Sequence, residues 1–286
     1  MDWIRGIQRA IDYMEEKLTE EIDYAVIAEK AYSSSFHFQR TFNILTNMTV
    51  GEYIRNRRLS QAGEELAATN VKVIDVALKY GYETPESFTK AFTRFHGVTP
   101  SEARGKGVLL KSFKPLSISI SLKGGSIMEY QIMNKDSFHV LVKAKDFPVD
   151  ALGSQIPDFW SKSSEDDTFR TLCSLGIKNE LLGLCKPGKK GENTFRYGIG
   201  IECNPDTVAP KGYEVWKLAN HTWAVFRCTG PIPTAIQELN RRIYSEFFPQ
   251  SELEPIADID FERYPDENSK ADYTAEIWIP VRKKAE

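Results

Sequence analysis

The sequence predicts two domains of different class. The first is an all-α N-terminal domain with two helix-turn-helix units. The second is an α+β C-terminal domain made of two strand-strand-helix-strand-strand halves. Three observations predict this. Helical apolar spacing runs from residue 3 to residue 104, with no period-two run of β-branched residues before residue 115. A block inside that region repeats at an offset of fifty residues. Beyond residue 127, short alternating apolar runs take over, broken by two helix-like stretches.

The length of 286 residues suits two domains of this kind. With 41% hydrophobic and 27% charged residues, both halves can bury a core, so extended disorder is excluded. No stretch of about 18 residues is free of charge, and the opening MDWIRGIQRAIDYMEEKL has no leader pattern. A cytoplasmic protein with no membrane partner is expected. Cys173, Cys185, Cys203 and Cys228 form no CxxC pair and are expected as buried thiols. His37, His96, His139 and His221 are scattered, so neither a metal site nor a cofactor is expected; His37 and His96 are expected at the surface or its boundary. The net charge of −3 hides a local pattern: residues 30–111 hold 12 basic and 7 acidic side chains, while residues 1–29 hold 3 and 8. A basic block of that size suits a polyanion partner.

Trp3, Ile4, Ile7, Ile11, Met14 and Leu18 recur every three or four residues and predict a first amphipathic helix. The repeat follows. Phe38, Arg40, Phe42 and Leu45 match Phe88, Lys90, Phe92 and Phe95 at offset fifty; Ala25, Ile27 and Ala28 match Ile74, Val76 and Ala77 at forty-nine. One residue has been gained in the turn between the blocks. A duplicated helix-turn-helix gives this signature, with first helices at 23–31 and 73–80 and second helices at 35–46 and 85–96. Thr84-Pro85 caps the last of these. Thr49…Glu52 and Thr99…Glu102 are capping boxes, in which hydroxyl and carboxylate each satisfy a free backbone N–H. A helix over 50–67 joins the units and is ~27 Å long at 1.5 Å per residue. That is a little under one turn of B-DNA, ~34 Å, so the rod is expected to hold two second helices in successive major grooves.

The segment from Gly105 to Met128 changes texture, and Gly124-Gly125-Ser126 reads as a joint. The expected domains are 1–106, a linker over 107–126, and 127–286. In the last, MEYQIMN, FHVLVKAKD, LLGLCKP, TFRYGIGIEC, GYEVWKLA, TWAVFRCTG, IADIDFERYP and YTAEIWIPV read as strands, with helices near 155–164 and 232–247. Two halves related by a pseudo-twofold would form a curved sheet backed by two helices.

Ala77, Gly81-Tyr82, Phe88, Phe92, Thr99-Pro100 and Arg104, at their spacings, resemble the DNA-binding domain of the AraC/XylS regulators, and the resemblance covers about 5–104. Asn47 stands where that family often has glycine, a mild departure because Asn tolerates the left-handed conformation. Helix geometry puts Phe38, Phe42 and Leu45 on a core face and leaves Phe36, Gln39, Arg40 and Asn43 opposite. In the second unit Glu86, Ser87, Lys90 and Arg94 lie opposite Phe88, Phe92 and Phe95. Gln suits adenine, Arg and Lys suit guanine or phosphate, and Glu suits cytosine N4. In the resembling family, the positions of Phe36, Gln39, Arg40, Glu86, Ser87 and Lys90 lie on the groove face. Arg55, Arg57 and Arg58 would touch phosphate or pair with Glu52, Glu64 or Glu65.

The second half holds no GxSxG, GxxxxGK[ST], HExxH or CxxC motif. On the strand YTAEIWIPV, Glu276 and Trp278 share one face, expected to be the concave one, a carboxylate beside an indole, which suits an organic cation. Trp160, Phe195, Tyr197, Trp216, Trp223 and Phe226 are available as walls, and Gly198, at the pseudo-equivalent position, would leave room. Glu262, in FERYP, is the competing carboxylate. The doubled strand order and the closing EIWIPV resemble the GyrI-like effector-binding domain, over about 127–284. That resemblance implies a groove for small, often cationic or amphipathic molecules, with a glutamate matching Glu276. The DNA-binding half comes first, as in Rob-like regulators.

The expected function is a transcription regulator whose partners are double-stranded promoter DNA, a small-molecule effector and RNA polymerase. Two other readings stay open. One is a hydrolase acting on a small electrophilic toxin, with Glu276 and a tyrosine as general base. The other is a protein-interaction module in the second half.

Overall fold

The computed structural model describes residues 3–118, 127–149, 155–189, 193–256, 258–265 and 273–284. Gly124-Gly125-Ser126, expected as a joint, lies outside them. The chain forms two compact units: one holds the described residues of 2–38 and 48–121, the other those of 39–47 and 122–286.

The helical region follows the predicted order: α1 (Trp3–Glu16), α2 (Tyr24–Lys30), α3 (Ser35–Thr46), α4 (Val50–Ala68), α5 (Val73–Lys79) and α6 (Pro85–His96). Each start has a physical cause. The Asp23 carboxylate accepts from Ala25 N at the head of α2. Thr49 and Glu52 form the predicted box at α4, with Glu52 N donating to Thr49 Oγ1 at 3.1 Å and Thr49 N to Glu52 Oε2 at 2.8 Å. Thr84 caps α6 with Pro85 in the first turn. Thr99 and Glu102 also make their reciprocal bonds, but they start only a 3₁₀ turn, Glu102–Arg104.

The core of this region forms around α4. Leu59, Ala62 and Leu66 of α4 pack with Val76, Ala77, Tyr80, Phe88 and Phe92. Burying each of the two phenylalanines contributes ~1.5–3 kcal/mol. Arg57 pairs with Glu15 on α1, with Nη2–Oε2 at 2.8 Å, and Tyr53 donates to the same carboxylate at 2.7 Å. Arg58 donates to the carbonyls of Leu18 and Glu20, both at 2.7 Å. Arg57 and Arg58 thus bond to Glu15 and to backbone carbonyls, while Arg55 is exposed.

One expectation needs correction. His96 is buried: its Nε2 lies 2.9 Å from the Leu59 carbonyl, and Nδ1 accepts from Lys111 N at 3.2 Å. The described part of the stretch expected as a linker is bonded to the helices. Phe113 N donates to Ser60 Oγ, Leu116 N to the Tyr53 hydroxyl and Ile118 N to Gln8 Oε1, and Arg57 donates to the Phe113 carbonyl. Residues 111–118 thus strap the helices as extended chain. Satisfying backbone groups with α4 side chains removes the need for a strand partner.

The second region contains β1 (Tyr130–Lys135), β2 (Phe138–Pro148), α7 (Gln155–Glu165), α8 (Thr168–Leu175), β3 (Glu180–Pro187) and β4 (Thr194–Cys203). Then come β5 (Glu214–Leu218), β6 (His221–Thr229), α9 (Thr234–Arg242), a π turn over Ile243–Phe247, α10 (Phe248–Gln250), β7 (Leu253–Pro255), β8 (Asp260–Pro265) and β9 (Thr274–Lys283). The antiparallel sheet runs β1-β6-β9-β8-β3-β4-β2-β5, with β7 added on β9. Exchanging the halves (β1 with β5, β2 with β6, β3 with β8, β4 with β9) reverses this order onto itself, which is the predicted pseudo-twofold. It passes at the β3–β8 junction, where Gly183 faces Glu262.

The sheet curls strongly. Phe138 on β2 and Phe261 on β8 have ring centroids 5.9 Å apart although β3 and β4 lie between their strands. Three flat strand steps would separate them by ~14 Å. The concave face is filled by Phe138, Val140, Val142, Trp216, Trp223, Phe261 and Trp278 among others. A Cβ at Gly198 would overlap Val142 Cγ1, so the room expected there is taken up by a valine. The helices pack on the other face. Of the cysteines, all free, Cys185 and Cys203 are buried and Cys228 partly so, but Cys173 is exposed.

Candidate functional site

On α6, Phe88 and Phe92 are buried, and the opposite face presents Glu86, Ser87, Lys90 and Arg94, all exposed. This is an open polar ridge of the composition that reads base edges and phosphates. The corresponding face of α3 is different. Phe36 and Gln39 are buried and Asn43 is half-buried. Gln39 Nε2 donates to Asn193 Oδ1 at 2.7 Å, and the Arg40 guanidinium is ion-paired with Asp260 of β8. The side chains of Arg40 and Asp260 are only 12% and 11% exposed. So the expectation that Gln39 and Arg40 face solvent does not hold here.

Asp260, Glu262 and Tyr264 alternate along β8 onto the helix-covered face of the sheet. Cys185 and Tyr197 stand on that face too, because Cys185 pairs with both Asp260 and Tyr197. Tyr264 donates to Glu262 Oε2 at 2.8 Å, and Trp160 Nε1 on α7 donates to the Tyr197 hydroxyl at 2.8 Å. Gly183 makes this convergence possible: a Cβ there would collide with the Tyr197 hydroxyl and crowd Glu262 Oε2 at 3.1 Å and the Trp160 ring at 3.2 Å. Loss of water pushes the Glu262 carboxyl above the ordinary carboxylate range, and Tyr264, Arg40 and Tyr197 only partly offset it. Burial also raises the hydroxyls of Tyr197, Tyr264 and Tyr244, and pushes the Cys185 thiol up to about 11. Burial opposes the charge on Arg40, but Cys185, Tyr244, Glu262 and Tyr197 outweigh it and leave the guanidinium firmly charged. The result is an acidic, aromatic, mostly buried cluster with a cation among its neighbours.

Glu276 and Trp278 share the concave face, as expected, but they are closed in by neighbours. Glu276 is engaged by three groups: Arg227 Nη2 at 3.2 Å, Arg263 Nε at 3.4 Å and Trp278 Nε1 at 2.9 Å. Trp278 stacks on Phe261 at 5.3 Å. The cavity on this side, lined by Lys135, Phe138, Glu180, Arg263 and Trp278, measures about 30 Å³. That holds a water or two and no organic molecule. The six residues expected to bind ligand are therefore divided. Trp160 and Tyr197 stand beside Glu262. Phe195 is buried on the same face, stacked on Phe147 at 5.6 Å, while Glu276, Trp278 and Trp223 lie on the concave side.

Known proteins resemble the chain in two separate stretches. The family model for the integron-associated effector binding protein Cass2 matches residues 131–281, more than half of the chain. The chain belongs to this family. A helix-turn-helix domain model matches residues 27–106. The transcriptional activator AarP of Providencia stuartii is 39% identical over 95 residues, which are 33% of this chain and 70% of that protein. The regulatory protein SoxS of Salmonella typhimurium is 37% identical over 98 residues, 34% of this chain and 92% of that protein. Among solved structures, SAV2435 bound to tetraphenylphosphonium aligns at 24% identity over 54% of this chain and 94% of that one, with a TM-score of 0.49. The protein is thus an AraC-type DNA-binding transcription regulator with a GyrI-like effector-binding domain.

Several residues around Glu262 and Arg40 were not singled out from the sequence: Asp260, Cys185, Tyr244 and Tyr264. The signal for two of them was present. Asp260 and Tyr264 lie two residues either side of Glu262, the period that places strand residues on one face. Cys185 and Tyr244 come from other elements, and nothing local marks them. Among the described residues no cluster of His, Cys, Asp and Glu could hold a metal. No described helix is long and apolar enough to cross a membrane.

Proposed function

We propose that the regulator reads promoter DNA with the outward faces of α3 and α6, and that its second half senses a small organic cation held at Glu262. One observation carries the effector reading. The Glu262 carboxylate is poorly hydrated, ringed by Tyr197, Tyr264 and Trp160, and shares its surroundings with a charged guanidinium. A carboxylate of this kind gains more from a cation than a solvated one does, and aromatic walls favour the apolar body of an amphipathic cation. Contact with RNA polymerase completes the proposed role at the promoter.

Turnover is disfavoured as a role for Glu276. A general base needs a lone pair facing substrate, and this carboxylate is taken up by two arginines and an indole.

The test uses benzamidinium, a planar aromatic cation, in titration calorimetry with the full chain. Glu262→Gln is expected to weaken binding at least tenfold, while Glu276→Gln, if it folds, is expected to leave it within about twofold. Affinity should fall on acidification from about pH 7, and the fall should begin above the ordinary carboxylate range of about 4.3, because protonated Glu262 offers no charge. Equal binding by wild type and Glu262→Gln would refute the assignment.

A further inference from the structure

We infer that Arg40 is a resident ligand of the effector site: its guanidinium, paired with Asp260 beside Glu262, holds the cation position until an external amidinium or guanidinium compound displaces it and returns α3 to the duplex. This rests on the cation-sensing reading above.

The observations are geometric. Residues 39–47, most of α3, group with the effector-binding residues and not with the remaining helices. Arg40 is ion-paired with Asp260, and its charge interacts with Cys185, Tyr244, Glu262 and Tyr197, the mostly buried cluster around Glu262. The adjacent Gln39 donates to Asn193. Lys90, fifty residues on, occupies the equivalent place in α6 and is exposed. The repeated helix therefore exists in one chain in two conditions, one with its polar face open and one with that face spent on protein partners.

The consequence is mutual exclusion. A guanidinium held against Asp260 cannot at the same time reach guanine O6 and N7 in a major groove. Arg40 cannot serve Asp260 and a base pair together. An effector that takes the cation position competes with Arg40 but not with DNA, so effector and DNA each raise the affinity for the other. The site's chemistry follows from its occupant. Arg presents a planar fork to carboxylates, so planar amidinium and guanidinium cations fit better than a compact ammonium.

The test uses the full chain, a fluorescent duplex selected from a random pool, and benzamidinium as probe. Asp260→Asn, which deprives Arg40 of its partner, is expected to bind the duplex five- to fiftyfold tighter than wild type without any cation. Saturating benzamidinium is expected to bring wild type within about twofold of that variant. In calorimetry Arg40→Ala is expected to bind benzamidinium at least fivefold tighter than wild type, and this arm stands alone if Asp260→Asn does not fold. Unchanged duplex affinity in a folded Asp260→Asn overturns the inference. So does equal benzamidinium affinity in wild type and Arg40→Ala, a result that leaves cation sensing intact. If neither protein binds benzamidinium and Asp260→Asn still tightens on DNA, the effector reading fails and the Arg40–Asp260 latch stands.

Discussion

Tyr32 and Gly81, forty-nine residues apart, both turn the chain between their two helices with positive φ, 54° and 79°. Asn47 and Gly97, fifty apart, do the same after the second helices, at 54° and 85°. The buried phenylalanines repeat as well: Phe38 and Phe42 in one unit, Phe88 and Phe92 in the other. Backbone and core have thus been kept through the duplication, while the outward faces have parted. In the second unit the polar residues of α6 are open; in the first, Gln39 and Arg40 are spent on Asn193 and Asp260. Duplication supplies two copies of one reading head, and side-chain chemistry on the exposed face lets one of them take on a second partner.

The comparison can be broken in four places. The core comes first. Phe42→Ala and Phe92→Ala should each cost ~3–5 kcal/mol in chemical denaturation; a loss at only one position would mean the cores are not equivalent. The reading faces come next. Lys90→Ala should weaken binding to a selected duplex by ~1–3 kcal/mol. Without effector, Arg40→Ala should weaken it less, because removing the base contact also releases the latch. Equal losses in a gel-shift titration would contradict the asymmetry.

The third test is acid stability. Burial lowers the His96 pKa, and its surroundings suit a neutral ring: Nδ1 accepts from Lys111 N while Nε2 meets a carbonyl. The folded value lies below the unfolded one near 6.5. Unfolded chain therefore takes up the proton first, and stability present above that value is lost as the pH falls below it. Urea midpoints measured across this window should drop for wild type and drop less for His96→Gln. The fourth effect is the smallest. Asn47→Gly should stabilise by up to ~0.5–1 kcal/mol and Gly97→Ala should destabilise by about as much, because left-handed backbone favours glycine. Thermal melts of the two variants shifting in the same direction would break the equivalence of the caps.

Much of the fold was legible because its signals are local. Capping boxes, Pro85 after Thr84 and the phenylalanine spacing each act within a few residues, and the fifty-residue offset needs only counting. The pseudo-twofold of the sheet followed from alternation plus the doubled strand pattern, but the strand order did not. Short pieces escaped: α8 has eight residues and β7 three, too short to stand out in the sequence, while the π turn lies within the helix expected near 232–247. His96 read as a surface residue because nothing in the sequence tells that Leu59 and the strap at Lys111 come to its two nitrogens.

The site shows the same limit. Parity placed Glu276 and Trp278 together correctly, but it cannot say which face of a sheet the helices cover. The concave side is packed with aromatics, and Glu262 stands on the other face beside Tyr197 and Trp160. The Arg40–Asp260 pair joins residues 220 apart in the chain, and no spacing rule reaches that far.

In the proposed regulator one reading head is open and the other is held back. Hydroxyl-radical footprinting on a selected duplex tests it most directly. Wild type without effector should protect one major-groove segment, and Asp260→Asn should add a second segment about one helical turn away, ~10 base pairs. Protection of both segments by wild type alone, or no added protection with the variant, would contradict it.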